Sequence, residues 1–353
     1  MTYNHKGIDI YTLRNKSGMT VQITNFGGRI ASILVPDKDG QLQDVVLGFD
    51  QLPDYFPENH HSDFGAIIGR YANRLKNGQI TVDGQVIQLP RNNGPHCLHG
   101  GPTGWQYQVF DVLSANESHL ELVLTSPDGD NEFPGTVNAH ITYTLSENNE
   151  LEIHYEATTD KTTVINLTNH SYFNLNGDGC STILNHLLTI NADLYTPIDA
   201  TYIPLGEILP VAGTPMDFRK SKAVGADISA DYEQLRHGNG YDHNWVLNTK
   251  GDSTQACARL ESPTTGIVLE VFTTEPGIQI YTGNFLDGSV KGKNGVLYPQ
   301  RSAICLETQK FPDSPNNHWL ESNAYLKSGE QYSSHTKFKF EVSTPSSKHP
   351  HSL

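Results

Sequence analysis

The dominant period along the chain is two. From Val137, apolar side chains fall at Val137, Ala139, Ile141, Tyr143 and Leu145; after a polar run ending at Glu150 they resume at Leu151, Ile153, Tyr155 and Ala157. Successive side chains of a strand point to opposite faces, so this pattern predicts a hairpin with one buried face. The same alternation marks Met19, Val21 and Ile23, then Leu120, Leu122 and Leu124, then Phe338, Phe340 and Val342. Asp83-Gly84, between short strand-like runs, is a tight-turn signal. Helical periodicity is scarce: Ile228, Tyr232 and Leu235 share a face at spacings of four and three and predict one short helix. The 31 glycines and 19 prolines are spread along the chain as turn residues, with no internal repeat or low-complexity linker to mark a boundary. The expectation is an all-β domain over residues 1–343 with a few short helices. The Ser/Pro/His/Lys-rich segment 344–353 is expected to be a flexible tail.

Composition narrows the partners. The chain has 353 residues, a length that β-sandwiches reach as one unit, and 24 Lys and Arg against 39 Asp and Glu give a formal charge of −15. So acidic a surface repels nucleic acid and anionic membranes, which leaves a neutral small molecule as the expected partner. Cys97, Cys180, Cys257 and Cys305 are scattered without CxxC spacing, so reduced thiols rather than a zinc ribbon or a disulfide framework are expected. No apolar run resembles a secretory signal or a membrane span. The expected location is cytoplasmic, and the expected state a monomer or homodimer.

Five segments break the strand pattern by clustering polar residues within apolar surroundings: Gly69–Arg74, His96–Gly101, Asn166–Asn174, Gly240–Trp245 and Ile304–Gln309. Burying such groups costs a few kcal/mol each unless they are partnered or used. Glu307 follows the apolar run Ala303–Leu306, so a packed strand should place its carboxylate for general-base work; the alternative is a solvated strand-end glutamate. His170 lies among amides and hydroxyls that can fix its tautomer, and imidazole exchanges a proton near neutrality; the alternative is a hydrogen-bonded structural histidine. His96 and His99 form an HxxH pair, but Pro95 and Gly100-Gly101 argue for a turn rather than a metal-binding helix, with the glycines letting the backbone pass close to a ligand. Arg70 and Arg74 either solvate a surface or clamp vicinal hydroxyls or a carboxylate partner, and Asp242 is either an Asx turn residue or a ligand for sugar hydroxyls. No phosphate loop, dinucleotide fingerprint, Gly-x-Ser-x-Gly elbow or zinc signature is present, so acid-base chemistry without a metal or cofactor remains.

At these segments the sequence resembles the aldose 1-epimerase, or galactose mutarotase, family. The resemblance rests on Asn73-Arg74, on Leu98-His99-Gly-Gly, on Thr168-Asn-His170-Ser-Tyr-Phe-Asn-Leu, on Asp242-His-Asn, on Pro276-Gly-Ile-Gln279-Ile-Tyr-Thr-Gly-Asn and on Cys305-Leu-Glu307-Thr-Gln, in family order from about Tyr11 to Val342. It implies a single large β-sandwich of the mutarotase supersandwich type whose concave face binds galactose or glucose. It implies that Glu307 removes the anomeric hydroxyl proton and His170 protonates the ring oxygen, and that Asn73, Arg74, His99, Asp242 and Gln279 bind sugar hydroxyls. His60, His61 and His96 fall outside the pattern, and contact of His96 or Arg70 with the sugar stays open. His119, His140 and His154 take the polar phase of their strands and should be solvated. Two rivals remain: a glycoside hydrolase using Glu307 and Asp242, and a non-catalytic hexose-binding module.

Overall fold

The strand alternation reappears as pairing. In the computed structural model, which describes residues 7–179, 182–317, 319 and 322–343, Val137–Leu145 runs antiparallel to Glu150–Thr159 in unbroken register from Val137 opposite Thr159 to Leu145 opposite Leu151. Burial alternates along both strands, apolar side in. Gln331–Val342 adds to the other side of Glu150–Thr159, with His335 directly opposite His154. These strands form the centre of a nine-stranded antiparallel sheet that continues through Ile267–Thr273, Ala258–Glu261 and Leu187–Ile190. A second, six-stranded sheet has Tyr172–Phe173, Ile304–Gln309, Gly277–Tyr281, Asp242–Val246, Leu194–Thr196 and Leu209–Pro210 side by side.

The two sheets share one core. Trp245, Ile278, Ile280, Ile304 and Leu306 of the smaller sheet pack in the same cluster as Ile141, Tyr143, Leu151, Ile153, Leu269 and Phe338 of the larger. Phe173 meets Phe338 edge-on across the interface at 5.2 Å. Each such apolar side chain contributes about 1.5–3 kcal/mol on burial, so the strands of the smaller sheet are pinned from within. What that leaves outward is set by the period of two: the residues between the core-facing ones.

Local expectations fare unevenly. Asp83 and Gly84 both take positive φ (50° and 77°) between Gln79–Val82 and Gln85–Gln88, the conformation a two-residue hairpin turn demands. The helix is shorter than its periodicity predicts: it spans Glu233–Gly238, with Tyr232 at the N-cap and Ile228 in the preceding turn. All the same, Ile228 and Leu235 are buried together, so the apolar spacing reports packing rather than a continuous helix. Segment 344–353 and Cys180 lie outside the described residues.

Candidate active site

The outward face of the six-stranded sheet carries the polar residues. Asn244, Gln279 and Glu307 sit in register across three neighbouring strands, and their neighbours in sequence, Trp245, Ile278 and Leu306, point into the core. Glu307 lies inside the Ile304–Gln309 strand rather than just after it, held on both sides in sequence by the strand's own pairing. Asp242 begins the Asp242–Val246 strand, buried, which replaces the turn reading. His170 lies between the short strands Thr168–Asn169 and Tyr172–Phe173. Its backbone is clamped to the 65–66 segment, its N–H donating to the Ala66 carbonyl at 2.8 Å and its carbonyl accepting from Gly65 at 3.0 Å.

These placements bring His170 Nε2 to 3.5 Å from Glu307 Oε2, with side-chain exposures of 5% and 2%. The His170 ring stacks on Tyr172 (centroids 5.0 Å apart, 15° between planes) and meets the His99 ring edge-on at 5.2 Å. Asn73 and His99 form a reciprocal clamp: the Asn73 backbone N–H donates to His99 Nδ1 and the His99 N–H donates to the Asn73 carbonyl, both at 3.1 Å. Both residues hold positive φ, a region where Asn and His are tolerated better than most. The clamp consumes the Nδ1 lone pair of His99 and so leaves its proton on Nε2. Arg74, whose Nε donates to Asn93 Oδ1 at 2.8 Å, stacks its guanidinium over Tyr202 at 4.7 Å.

The resulting pocket encloses about 320 Å³ and is lined by Asp63, Asn73, Arg74, His99, His170, Asp242 and Glu307, with Tyr172, Tyr202, Tyr281 and Phe285 among its aromatic walls. Of the sequence-predicted residues, Gln279 alone does not line it; its amide donates to Asp242 Oδ1 at 2.8 Å and so fixes that carboxylate. Sequence reasoning missed Asp63, Asn93, Leu98, Tyr172, Tyr202, Tyr281 and Phe285. Tyr281 was within reach, since it stands two residues beyond Gln279 and shares its face.

Burial sets the electrostatics. It raises Glu307 well above the ordinary carboxylate value, reinforced by Asp242 and Asp63 and opposed by Arg74. It lowers His170, with Asp63 working against the shift. Asp242 is raised by burial and restrained by Arg74 and the Gln279 amide. Among the described residues, His170 Nδ1 and Glu307 Oε2 have no hydrogen-bond partner, an arrangement that costs free energy until a ligand supplies one. One ligand-type atom each from Asp63, His99 and His170 gather within 4.8 Å, as do those of His170, Cys305 and Glu307. As metal donors both sets are poor, because the Nδ1 of His99 is already engaged and burial holds the Cys305 thiol protonated.

Several expectations need correcting. Arg70 and Arg74 are buried, not surface-solvating. The Arg70 guanidinium donates to the carbonyls of Pro134, Gly135 and Pro127 and to Ser126, so it staples loops and does not line this pocket. Gly100 is needed against protein rather than ligand: at φ +80° a Cβ there would lie 2.1 Å from the Gly69 carbonyl oxygen. His96 bonds to Thr201 Oγ1 through Nε2 and accepts from the Asn77 N–H, away from the pocket lining. His140 and His154 are exposed as expected, while His119 is half-buried.

Fold and site together define a β-sandwich with a buried histidine–glutamate pair in a pocket lined by polar and aromatic side chains. The aldose 1-epimerase family model matches residues 9–339. The chain is 45% identical over 326 residues to galactose mutarotase of Sus scrofa (92% of each chain) and 38% identical over 332 residues to aldose 1-epimerase of Escherichia coli (94% of each). The crystal structure of an aldose epimerase homologue from C. elegans superimposes with a TM-score of 0.88 at 32% identity, covering 96% of this chain and all of that one. The chain belongs to the aldose 1-epimerase family, and it is an isomerase.

Proposed function

We propose that this enzyme interconverts the α and β anomers of galactose and glucose, with Glu307 as the base at the anomeric hydroxyl and His170 as the acid at the ring oxygen. What carries the assignment is the 3.5 Å approach of His170 Nε2 to Glu307 Oε2 inside a pocket of monosaccharide size. Glu307 takes the proton of the C1 hydroxyl, the O1 electrons form the C1=O bond, and the C1–O5 bond breaks towards O5. O5 receives the proton of His170. The aldehyde rotates about C1–C2, and the same transfers in reverse close the ring on the other face. Oxidation state and atom count are unchanged, so two proton carriers suffice.

The opposed shifts serve this exchange: burial makes Glu307 a stronger base and His170 a stronger acid than either is in water. Asn73, Arg74, His99 and Asp242 bind the hydroxyls, Gln279 positions Asp242, and the aromatic walls take the apolar face of the ring. Three buried thiols, Cys97, Cys257 and Cys305, suit a reducing compartment, and we place the enzyme in the cytoplasm.

The test is Glu307→Gln, followed by polarimetry of freshly dissolved α-galactose and by calorimetric sugar binding. Exchange should fall at least about 100-fold, the lower bound for proton-transfer catalysis, with affinity kept within a few-fold. Near wild-type exchange in this variant would remove Glu307 as the base. Release of nitrophenol from a nitrophenyl galactoside by the unaltered enzyme would point instead to hydrolysis.

A further inference from the structure

The outer face of the nine-stranded sheet, on the far side of the core from the sugar pocket, holds a second gathering of histidine and carboxylate. His154 and His335 are directly opposed on adjacent strands, and Glu152 stands two residues before His154 on the same face. The two imidazoles stack at 4.3 Å with 23° between planes. Both aim Nε2 at one atom: Glu152 Oε2 lies 3.3 Å from His154 Nε2 and 3.2 Å from His335 Nε2.

We infer that Glu152, His154 and His335 form a surface site for a divalent transition metal, zinc being the probe of choice. A tetrahedral zinc with bonds of about 2.0–2.1 Å to imidazole nitrogen and carboxylate oxygen separates its ligand atoms by about 3.3–3.4 Å. The two N–O separations here already match that edge, and all three atoms lie within 4.8 Å of one another. Each imidazole binds through the Nε2 lone pair with its proton on Nδ1, Glu152 contributes one negative charge, and water completes the fourth position. Side-chain exposures of 49%, 32% and 17% for His154, Glu152 and His335 leave an open approach.

The surroundings permit a cation. Lys337, which pairs opposite Glu152 in the strand register, is engaged elsewhere: its ammonium lies 3.2 Å from Glu150 Oε1 and 4.5 Å over the Phe272 ring. The formal charge of −15 draws cations to the surface. The scaffold is rigid, because both histidines sit mid-strand in an unbroken register of nine residue pairs, so the donors need little ordering on binding. A bound metal would cross-link the Glu150–Thr159 and Gln331–Val342 strands, an effect on stability distinct from the sugar chemistry.

The experiment titrates zinc chloride into the full chain by calorimetry, in parallel with His154→Ala and His335→Ala, and follows anomer exchange at saturating zinc. The expected result is one site per chain that weakens at least about 10-fold in each variant, the lower end of what loss of even an outer metal partner costs. Exchange should be unchanged in both variants and at saturating zinc, and zinc should raise the melting temperature of the unaltered chain only. Absence of zinc binding, equal binding in the variants, or zinc that inhibits exchange and is displaced by galactose would overturn the site.

Discussion

The two faces of the molecule carry the same chemical pair in different surroundings. On the face that carries the pocket His170 and Glu307 approach to 3.5 Å with almost no exposure; on the outer face His140 and Glu121 approach to 3.4 Å with exposures of 46% and 30%. Coulomb attraction scales inversely with the local dielectric, so the same separation is worth about four times more at an effective ε of 20 than in water, and exposed pairs typically contribute about 0–1 kcal/mol. Burial drives the Glu307 carboxylate well above the ordinary range, and among the described residues Glu307 Oε2 and His170 Nδ1 have no hydrogen-bond partner. A histidine beside a glutamate is therefore no catalytic signature; the desolvated wall of Tyr172, His99 and Asp242 around it is what separates the two.

The largest expected effect follows from burial of histidine, in that wall and elsewhere in the core. Burial lowers His99, His186 and His243 to about 3 each from an ordinary 6.5. A neutral buried histidine keeps its full contribution above the unfolded value and loses it as pH falls from 6.5 towards 3, because the unfolded chain takes up the proton first. At pH 5 the loss is about 2 kcal/mol per histidine, on the order of 6 kcal/mol for three. Glu307 and Asp242, raised by burial, work in the opposite direction at low pH and offset part of it. Chemical denaturation at pH 7 and pH 5 measures the difference, and a flat profile would show these histidines to be accessible. Next in size is His170→Asn, expected to leave less than about 1% of the exchange rate by polarimetry. Retention of a tenth or more of the rate would reduce the buried pair to the standing of the exposed ones.

How far the sequence spoke for itself differs between the same two faces. The nine-stranded sheet was legible because one side is wet and the other dry, and alternation from Val137 to Ala157 records that directly. The centre of the six-stranded sheet is buried on both sides: the whole Ile304–Gln309 strand reads as buried, so periodicity could not place Glu307 within it. Polar clustering and family order located His170, Glu307, Asn73, Arg74, His99 and Asp242. Asp63 and Tyr202 went unseen because they reach the pocket from loops, where no period exists; Tyr202 does so from a positive-φ turn. Arg70 and Gly100 were misread for a related reason. Their partners, carbonyls from Ser126 to Gly135 and the Gly69 backbone, are brought near by tertiary folding alone.

Gln279 tests the boundary between contact and support. It does not line the pocket, but it donates to Asp242 and sits opposite Glu307 in the strand register. Removing a hydrogen bond to a carboxylate typically costs about 1.5–3 kcal/mol, so Gln279→Ala should lower kcat/KM by roughly 10-fold or more, mostly through KM. Gln279→Glu should not rescue, because two carboxylates would then face each other. An effect confined to kcat would instead place Gln279 at the reacting atoms.

The smallest expected effect is the sharpest control on the comparison. His140→Ala removes the exposed partner of Glu121, and an exposed pair held at 3.4 Å should cost no more than about 0.5 kcal/mol, because water and salt screen it and two side chains regain rotamer freedom. Its neighbours along the strand, Ala139 and Ile141, supply the burial and are untouched. Thermal denaturation should shift by about 2 °C at most and anomer exchange should be unaltered. A loss above about 1 kcal/mol, or a tenfold change in exchange, would mean that the outer face is mechanically coupled through the shared core to the strand that carries Glu307, and burial alone would no longer account for the difference between the two pairs.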